Sequence, residues 1–199
     1  HKLIVIVLEL QEMEEVLSNK IPEFEERLKT MMPGLNEYSS GVSGDFPDLV
    51  KEGVHMDNII EHIGLEIQTI AGMEVSFGRT QSYGEKGVRQ VVFEYLEEEV
   101  GIYAATAAVR ICESLIAGEN YELKPDIQEM REIREEVRLG PSTASIIEEA
   151  VSRGIPWIRL NKYSLCQLGY GENQKRIQAT ITSETSNLAV EIACNKEDT

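Results

Sequence analysis

A helix between His55 and Ala71 is the feature that most constrains the fold. Four isoleucines recur there at spacings of four, four and three, which places their side chains on one face of an α-helix: Ile59, Ile63, Ile67 and Ile70. Gly72 follows and supplies a helix stop. A helix with such an apolar face must bury it against other elements, so the sequence predicts a packed core.

Short β-branched runs alternate with further helical segments along the chain. Strands are predicted at Leu3–Leu8, Glu74–Phe77, Val88–Tyr95, Ile155–Leu160 and Arg176–Thr182. We expect both faces of the first strand to be covered, because its apolar run is continuous. Helices are predicted at Pro22–Met32, Gly101–Ala117, Lys124–Arg138 and 142–152, with a Ser/Gly-rich loop at Ser39–Asp45. The predicted class is α/β, specifically an α+β mixed sheet with helices packed on it.

The charge balance excludes several classes of protein. The 199 residues hold 19 Lys and Arg against 35 Asp and Glu, a net charge of −16, which argues against a nucleic-acid partner. No apolar run approaches the roughly 20 residues that span a bilayer, so no membrane is expected. The three cysteines (Cys112, Cys166 and Cys194) have no disulfide or metal-ligand spacing. With no signal peptide visible, a cytoplasmic location is expected.

The acidic charge is concentrated in one part of the chain. Residues 1–139 hold 28 acidic and 13 basic residues, whereas 140–199 hold 7 and 6. The change falls at Gly140-Pro141, a pair that breaks helices. We therefore predict one domain over 1–139 and a second over 140–199. Because neither end carries a polar tail, we expect the chain to be part of something longer.

The predicted central helix also carries the residues with most chemical character. Asn58-x-x-Glu61-His62 is one histidine short of the H-x-x-E-H pattern, in which two histidines hold a metal and the glutamate polarises its water. Glu61 is the candidate catalytic residue, and His62, Glu66 and His55 are candidate ligands for Zn²⁺. Three interpretations stay open: hydrogen-bonded groups at the edge of a buried helix, a degenerate site, or a working one. Separately, Gly169-Tyr170-Gly171 is read as a phosphate-binding loop or as a plain turn.

Several motifs together resemble cyanophycin synthetase. They begin with His1–Val5, Ile60-Glu61-His62 through Gly72-Met73, and Phe77-Gly78-Arg79-Thr80. More specific are Gly140-Pro141-Ser142-Thr143, Arg153–Trp157, Gln167–Gly171, Gln174–Thr180 and Val190–Cys194. The resemblance covers nearly the whole chain. It implies an N-terminal domain followed by the truncated beginning of an ATP-grasp domain.

The resemblance also implies a function. The family consists of ATP-dependent ligases that polymerise Asp and Arg into multi-L-arginyl-poly-L-aspartate with Mg²⁺, and homo-oligomerisation of the parent protein is implied. No ATP-binding residue is expected in this chain, which alone should lack ligase activity. The expected role is binding of the growing polymer or primer through Glu97, Glu98 and Glu99, or through Glu12, Glu14 and Glu15. The competing interpretation of these acids is plain solubility charge.

Two alternative roles remain. Some members of the family resemble a metallopeptidase in this domain, and by position Glu61 matches the general base and His62 one ligand. Asn58 stands where the other histidine would be. The other alternative is a non-catalytic oligomerisation module.

Overall fold

The computed structural model describes residues 2–37, 46–179, 181–182 and 184–186. The predicted loop Ser39–Asp45, the motif Val190–Cys194 and Cys194 itself lie outside these residues. The described part contains six α-helices and two antiparallel sheets, so the predicted class of helices packed on a sheet is confirmed. The chain divides into two compact units, residues 1–136 and 137–199, which are described separately.

The first unit contains a three-stranded sheet and most of the helices. Its elements are β1 (Leu3–Glu9), α1 (Phe24–Met31), α2 (Phe46–Glu52), α3 (Met56–Ile70), β2 (Gly78–Ser82), β3 (Val88–Glu94), α4 (Glu98–Ala117) and α5 (Lys124–Val137). The strands are antiparallel in the order β1-β3-β2, with Val5 opposite Val92 and Thr80 opposite Val91. The predicted helix over 55–71 and the predicted strand over 88–95 are confirmed within one residue at each end.

One face of this sheet is covered and the other is open. Leu3, Val5 and Val7 are exposed, so the prediction that both faces of this strand are covered is wrong. A continuous apolar run is typical of a strand between two layers, but β1 is an edge strand of an antiparallel sheet that packs helices on one side. Val91 and Phe93 of β3 point to the covered side and are fully buried.

Helices α3 and α4 form the core on the covered side. α3 packs on β3 so closely that a methyl group built on Gly64 would lie 2.7 Å from the ring of Phe93. α4 approaches α3 through its buried alanines Ala104, Ala107 and Ala108. By length and composition α4 could cross a membrane, which the sequence did not lead us to expect. Its buried face is that of a core helix, consistent with a soluble protein.

α5 is joined to α4 by a buried carboxylate. Asp126 Oδ1 accepts hydrogen bonds from Tyr103 at 2.8 Å and from Arg110 at 2.7 Å, and its Oδ2 accepts one from Tyr121 at 2.7 Å. Both carboxylate oxygens are therefore satisfied. The cluster fixes the start of α5 against the middle of α4.

The strand predicted at Glu74–Phe77 is wrong, because the second strand of the sheet begins at Gly78. The backbone amides of Ser76 and Phe77 instead donate hydrogen bonds to a side chain, the Oε2 atom of Glu94. The helix predicted from Pro22 begins only at Phe24, because Glu23 adopts a left-handed conformation.

The second unit is a small sheet with one helix. Helix α6 (Pro141–Ser152) precedes β4 (Trp157–Arg159), β5 (Leu165–Leu168), β6 (Lys175–Gln178) and β7 (Ile181–Thr182), which are antiparallel in sequence order. The predicted strand over 176–182 is therefore two strands, and β5 was not predicted. Gly169 and Gly171 both have positive φ angles and lie in the turn before β6. The motif therefore forms a turn, which is one of the two interpretations of its sequence.

Candidate functional site

A pocket of about 430 Å³ lies in the first unit where α2, α3 and β2 meet. Its walls combine apolar, acidic and basic side chains. The lining residues are Phe46, Leu49, Glu52, Gly53, Val54, His55, Asn58, Glu61, His62, Gly78, Arg79 and Thr80. The pocket thus contains three of the four predicted catalytic or metal-binding residues, namely His55, Glu61 and His62. Its volume is in the range of small-molecule and side-chain binding sites.

Glu61 is the most unusual of these residues. Its side chain projects from α3 toward β2, where a methyl group built on Gly78 would lie 2.3 Å from Oε1. The residue is only 3% exposed, and within the described part of the chain its carboxylate has no hydrogen bond or ion pair. Burial, together with the negative charge of Asp57, raises the pKa of Glu61 to about 7.

Asp57 lies one helical turn before Glu61 and is already paired with an arginine. Its Oδ2 accepts a hydrogen bond of 2.6 Å from Arg89 of β3, whose other end donates to Ser82. Asp57 is fully buried, and its Oδ1 has no hydrogen-bond partner in the described part of the chain. Arg89 therefore pairs with Asp57 and not with Glu61.

His62 is held by the helix and by an aromatic ring. Its Nδ1 lies 2.9 Å from the carbonyl oxygen of Asn58, and its ring stacks on Phe46 with centroids 3.7 Å apart and planes at 6°. Because the carbonyl requires a donor, Nδ1 carries the proton. Burial lowers the pKa of His62, so its neutral form is favoured.

The predicted metal ligands are not brought together. His55 lines the pocket, but its Nδ1 is 3.0 Å from the carbonyl oxygen of Glu14. Glu66 lies about three helical turns further along α3, beside Gly34. Asn58, in the place of a histidine ligand, uses its Oδ1 to accept a hydrogen bond of 2.8 Å from Thr80. Among the described residues no three His, Cys, Asp or Glu side chains are grouped as metal ligands. This donor set does not fit a zinc ion.

The predicted polymer-binding acids lie in two places on the first unit. Glu98 and Glu99 are exposed in the first turn of α4, preceded by the half-buried Glu97. Acids there also favour the helix dipole, so their position alone has a structural explanation. Glu12, Glu14 and Glu15 form a short 3-10 turn, and its backbone reaches the pocket through the contact of His55 with Glu14.

Sequence reasoning missed several residues that build the pocket. Arg79 on β2 was quoted only as part of a motif, and the helix carrying Phe46 was not predicted. Asp57, which does not line the pocket but lies one turn before Glu61, was overlooked because nothing local shows that Arg89, on another element, pairs with it. The one available signal was that Arg79 belongs to the motif Phe77-Gly78-Arg79-Thr80, one of those that carry the resemblance.

The fold and pocket belong to a recognisable class of domain. Residues 5–117 match the family described as the cyanophycin synthase-like N-terminal domain. That match covers more than half of the chain and includes the whole pocket. The chain therefore belongs to this family.

Named relatives narrow the comparison to one kind of enzyme. The cyanophycin synthetases of Trichormus variabilis and of a Nostoc species are each 48% identical to this chain over 204 residues. That of Geminocystis herdmanii is 47% identical over 203 residues. Each match covers 100% of this chain and 23% of the relative, so the chain corresponds to the N-terminal region of these proteins and spans about a quarter of their length.

Proposed function

We propose that this chain is the polymer-binding part of a cyanophycin synthetase, a ligase that uses ATP and Mg²⁺ to polymerise Asp and Arg. The name of the relatives, cyanophycin synthetase, supports the assignment to this enzyme. ATP and Mg²⁺ would act in the remaining three quarters of the relatives' length, and the parent protein would be a homo-oligomer. In this proposal the chain holds the growing arginine-bearing polymer or primer near those sites.

The observation that carries this role is the concentration of acidic charge in the first unit. Residues 1–139 hold 28 acidic against 13 basic residues. Guanidinium groups pair with carboxylates through two parallel hydrogen bonds, so a polymer with an arginine on every aspartate complements such a surface. Glu12, Glu98 and Glu99 are exposed and available for these pairs, and the exposed Glu15 would exchange its ion pair of 3.8 Å with Lys86 for one with the polymer.

Many weak contacts suit a polymer better than one strong contact. An exposed ion pair contributes little by itself, but several acids that engage successive arginines of one chain act together. The polymer would then stay attached while any single pair opens. This arrangement raises the concentration of polymer ends near the active sites without fixing one register.

The experiment is a titration of the 199-residue chain with soluble multi-L-arginyl-poly-L-aspartate, followed by calorimetry. We expect affinity to fall at least about tenfold between about 0.05 M and about 0.5 M salt, because exposed pairs are screened. Poly-L-aspartate, which lacks the guanidinium groups, is the negative control and should not bind. Affinity that does not change with salt would contradict the proposal.

Two double variants distinguish the effect of specific acids on polymer binding from the effect of total charge. Glu98→Gln with Glu99→Gln removes two candidate acids, and Glu129→Gln with Glu136→Gln removes two exposed acids of α5 that belong to neither predicted patch. We expect the first pair to weaken polymer binding more than the second. Equal effects would mean that Glu98 and Glu99 contribute only net charge and solubility.

A further inference from the structure

The carboxylate of Glu61 faces the pocket without a hydrogen bond or ion pair from the described part of the chain. It is 3% exposed and faces a pocket, yet no donor or cation of the described chain reaches it. A largely buried charge without a partner is costly, and acids perturbed in this way cluster at functional sites. The pocket therefore points to a ligand that brings hydrogen-bond donors and positive charge.

The neighbouring charges leave Glu61 available. Arg89 is engaged by Asp57 and Ser82, and Arg79, which lines the same pocket, is exposed and makes no ion pair with Glu61. Gly78 permits the close approach of the Glu61 carboxylate to β2, since any side chain at that position would displace it. The local fold thus holds a carboxylate in place without neutralising it.

The remaining walls select the shape of the ligand. Leu49 and Val54 offer apolar surface to an aliphatic stem, and Phe46 and His62, which stack on each other, form an aromatic wall. A carboxylate with no other partner favours a planar guanidinium, which can donate to both of its oxygens at once, over a compact ammonium group. An arginine side chain combines that stem with that head group.

We infer that Glu61 is the anionic residue of a guanidinium-binding subsite in this pocket, which takes a single arginine side chain of the polymer. Arg79 then lies where it can meet a carboxylate carried by the same ligand unit, as in an arginine joined to aspartate. The inference rests on the proposed function, because it gives the polymer a specific binding residue in addition to exposed surface charge.

The test uses the 199-residue chain and the dipeptide β-aspartyl-arginine, with β-aspartyl-lysine and zinc chloride as separate probes. Glu61→Gln keeps the shape of the side chain and removes its charge. Glu66→Gln is the matched control, since Glu66 is an equally buried acid of α3 that does not line the pocket. We expect Glu61→Gln to weaken dipeptide binding by about tenfold or more, and Glu66→Gln by less than about twofold.

The outcomes separate this inference from the proposed function. Unchanged dipeptide affinity in Glu61→Gln, with polymer binding still dependent on salt and surface acids, overturns the subsite and leaves the function standing. Equal affinity for the lysine dipeptide overturns the guanidinium assignment. Stoichiometric zinc binding that is lost in Glu61→Gln overturns it in favour of a metal site. Failure of the wild-type chain to bind polymer at all overturns the proposed function itself.

Discussion

Two buried carboxylates of the first unit differ in how the fold treats them. Asp126 accepts three hydrogen bonds from two tyrosines and one arginine, whereas Glu61 accepts none from the described chain. The first joins two helices, and the second faces a pocket. The contrast teaches that burial alone does not distinguish a structural acid from a binding residue. What singles out Glu61 is that it is buried without a partner and faces a cavity.

The largest effect is expected from removing the satisfied acid. Asp126→Ala leaves Tyr103, Tyr121 and Arg110 without their shared acceptor, so the free energy of unfolding should fall by about 3 kcal/mol. Arg110 is half exposed and can be rehydrated, which keeps the loss below that of a fully buried pair. Urea unfolding measures it, with Glu129→Gln on the same helix as a control. A loss below about 1 kcal/mol would mean that the cluster is not structural.

Removing the charge of Glu61 is expected to raise the free energy of unfolding rather than lower it. The pKa of Glu61 is about 7 in the folded chain against an ordinary value of 4.5, so folding becomes less favourable as pH rises between those values. Glu61→Gln should therefore stabilise the chain by up to about 3 kcal/mol at pH 8 and by little at pH 4. Thermal unfolding of both proteins across this range checks it. A variant less stable than the wild type at pH 8 would show that the carboxylate has a hidden partner.

A smaller effect is expected from the glycine that faces Glu61. Gly78→Ala places a methyl group 2.3 Å from Oε1 of Glu61, which forces the carboxylate to move. We expect a loss of about 2 kcal/mol in stability, together with weaker binding of β-aspartyl-arginine. Gly140→Ala is the control, because nothing lies within 4 Å of a methyl group there. Unchanged dipeptide binding in Gly78→Ala would separate Glu61 from the ligand.

The helices of the first unit were largely predictable from the sequence. The isoleucine spacing gave α3 within one residue at each end, since a buried helix must repeat its apolar face. β1 was predicted as a strand but not as an edge strand, because its open face depends on which elements cover the sheet. The position of β2 was missed because Glu94, distant in sequence, satisfies the amides of residues 76 and 77.

The pocket was predictable only in part. Glu61 and His62 stand out from their spacing on one helix, and both line the pocket. What decides their chemistry is tertiary: Arg89 pairs with Asp57 rather than with Glu61, and Thr80 occupies the amide oxygen of Asn58. No local pattern reports which acid receives the available cation, so the sequence left a metal site open among other interpretations, whereas the structure shows a carboxylate without a partner in the described part of the chain.

The most direct measurement is a crystal structure of the chain bound to a short β-aspartyl-arginine oligomer. The account predicts one guanidinium group in the pocket, with two nitrogens about 2.7–2.9 Å from the Glu61 carboxylate oxygens, the length of a charge-assisted pair. An oligomer bound elsewhere with the pocket empty, or a metal ion held beside His62, would contradict it.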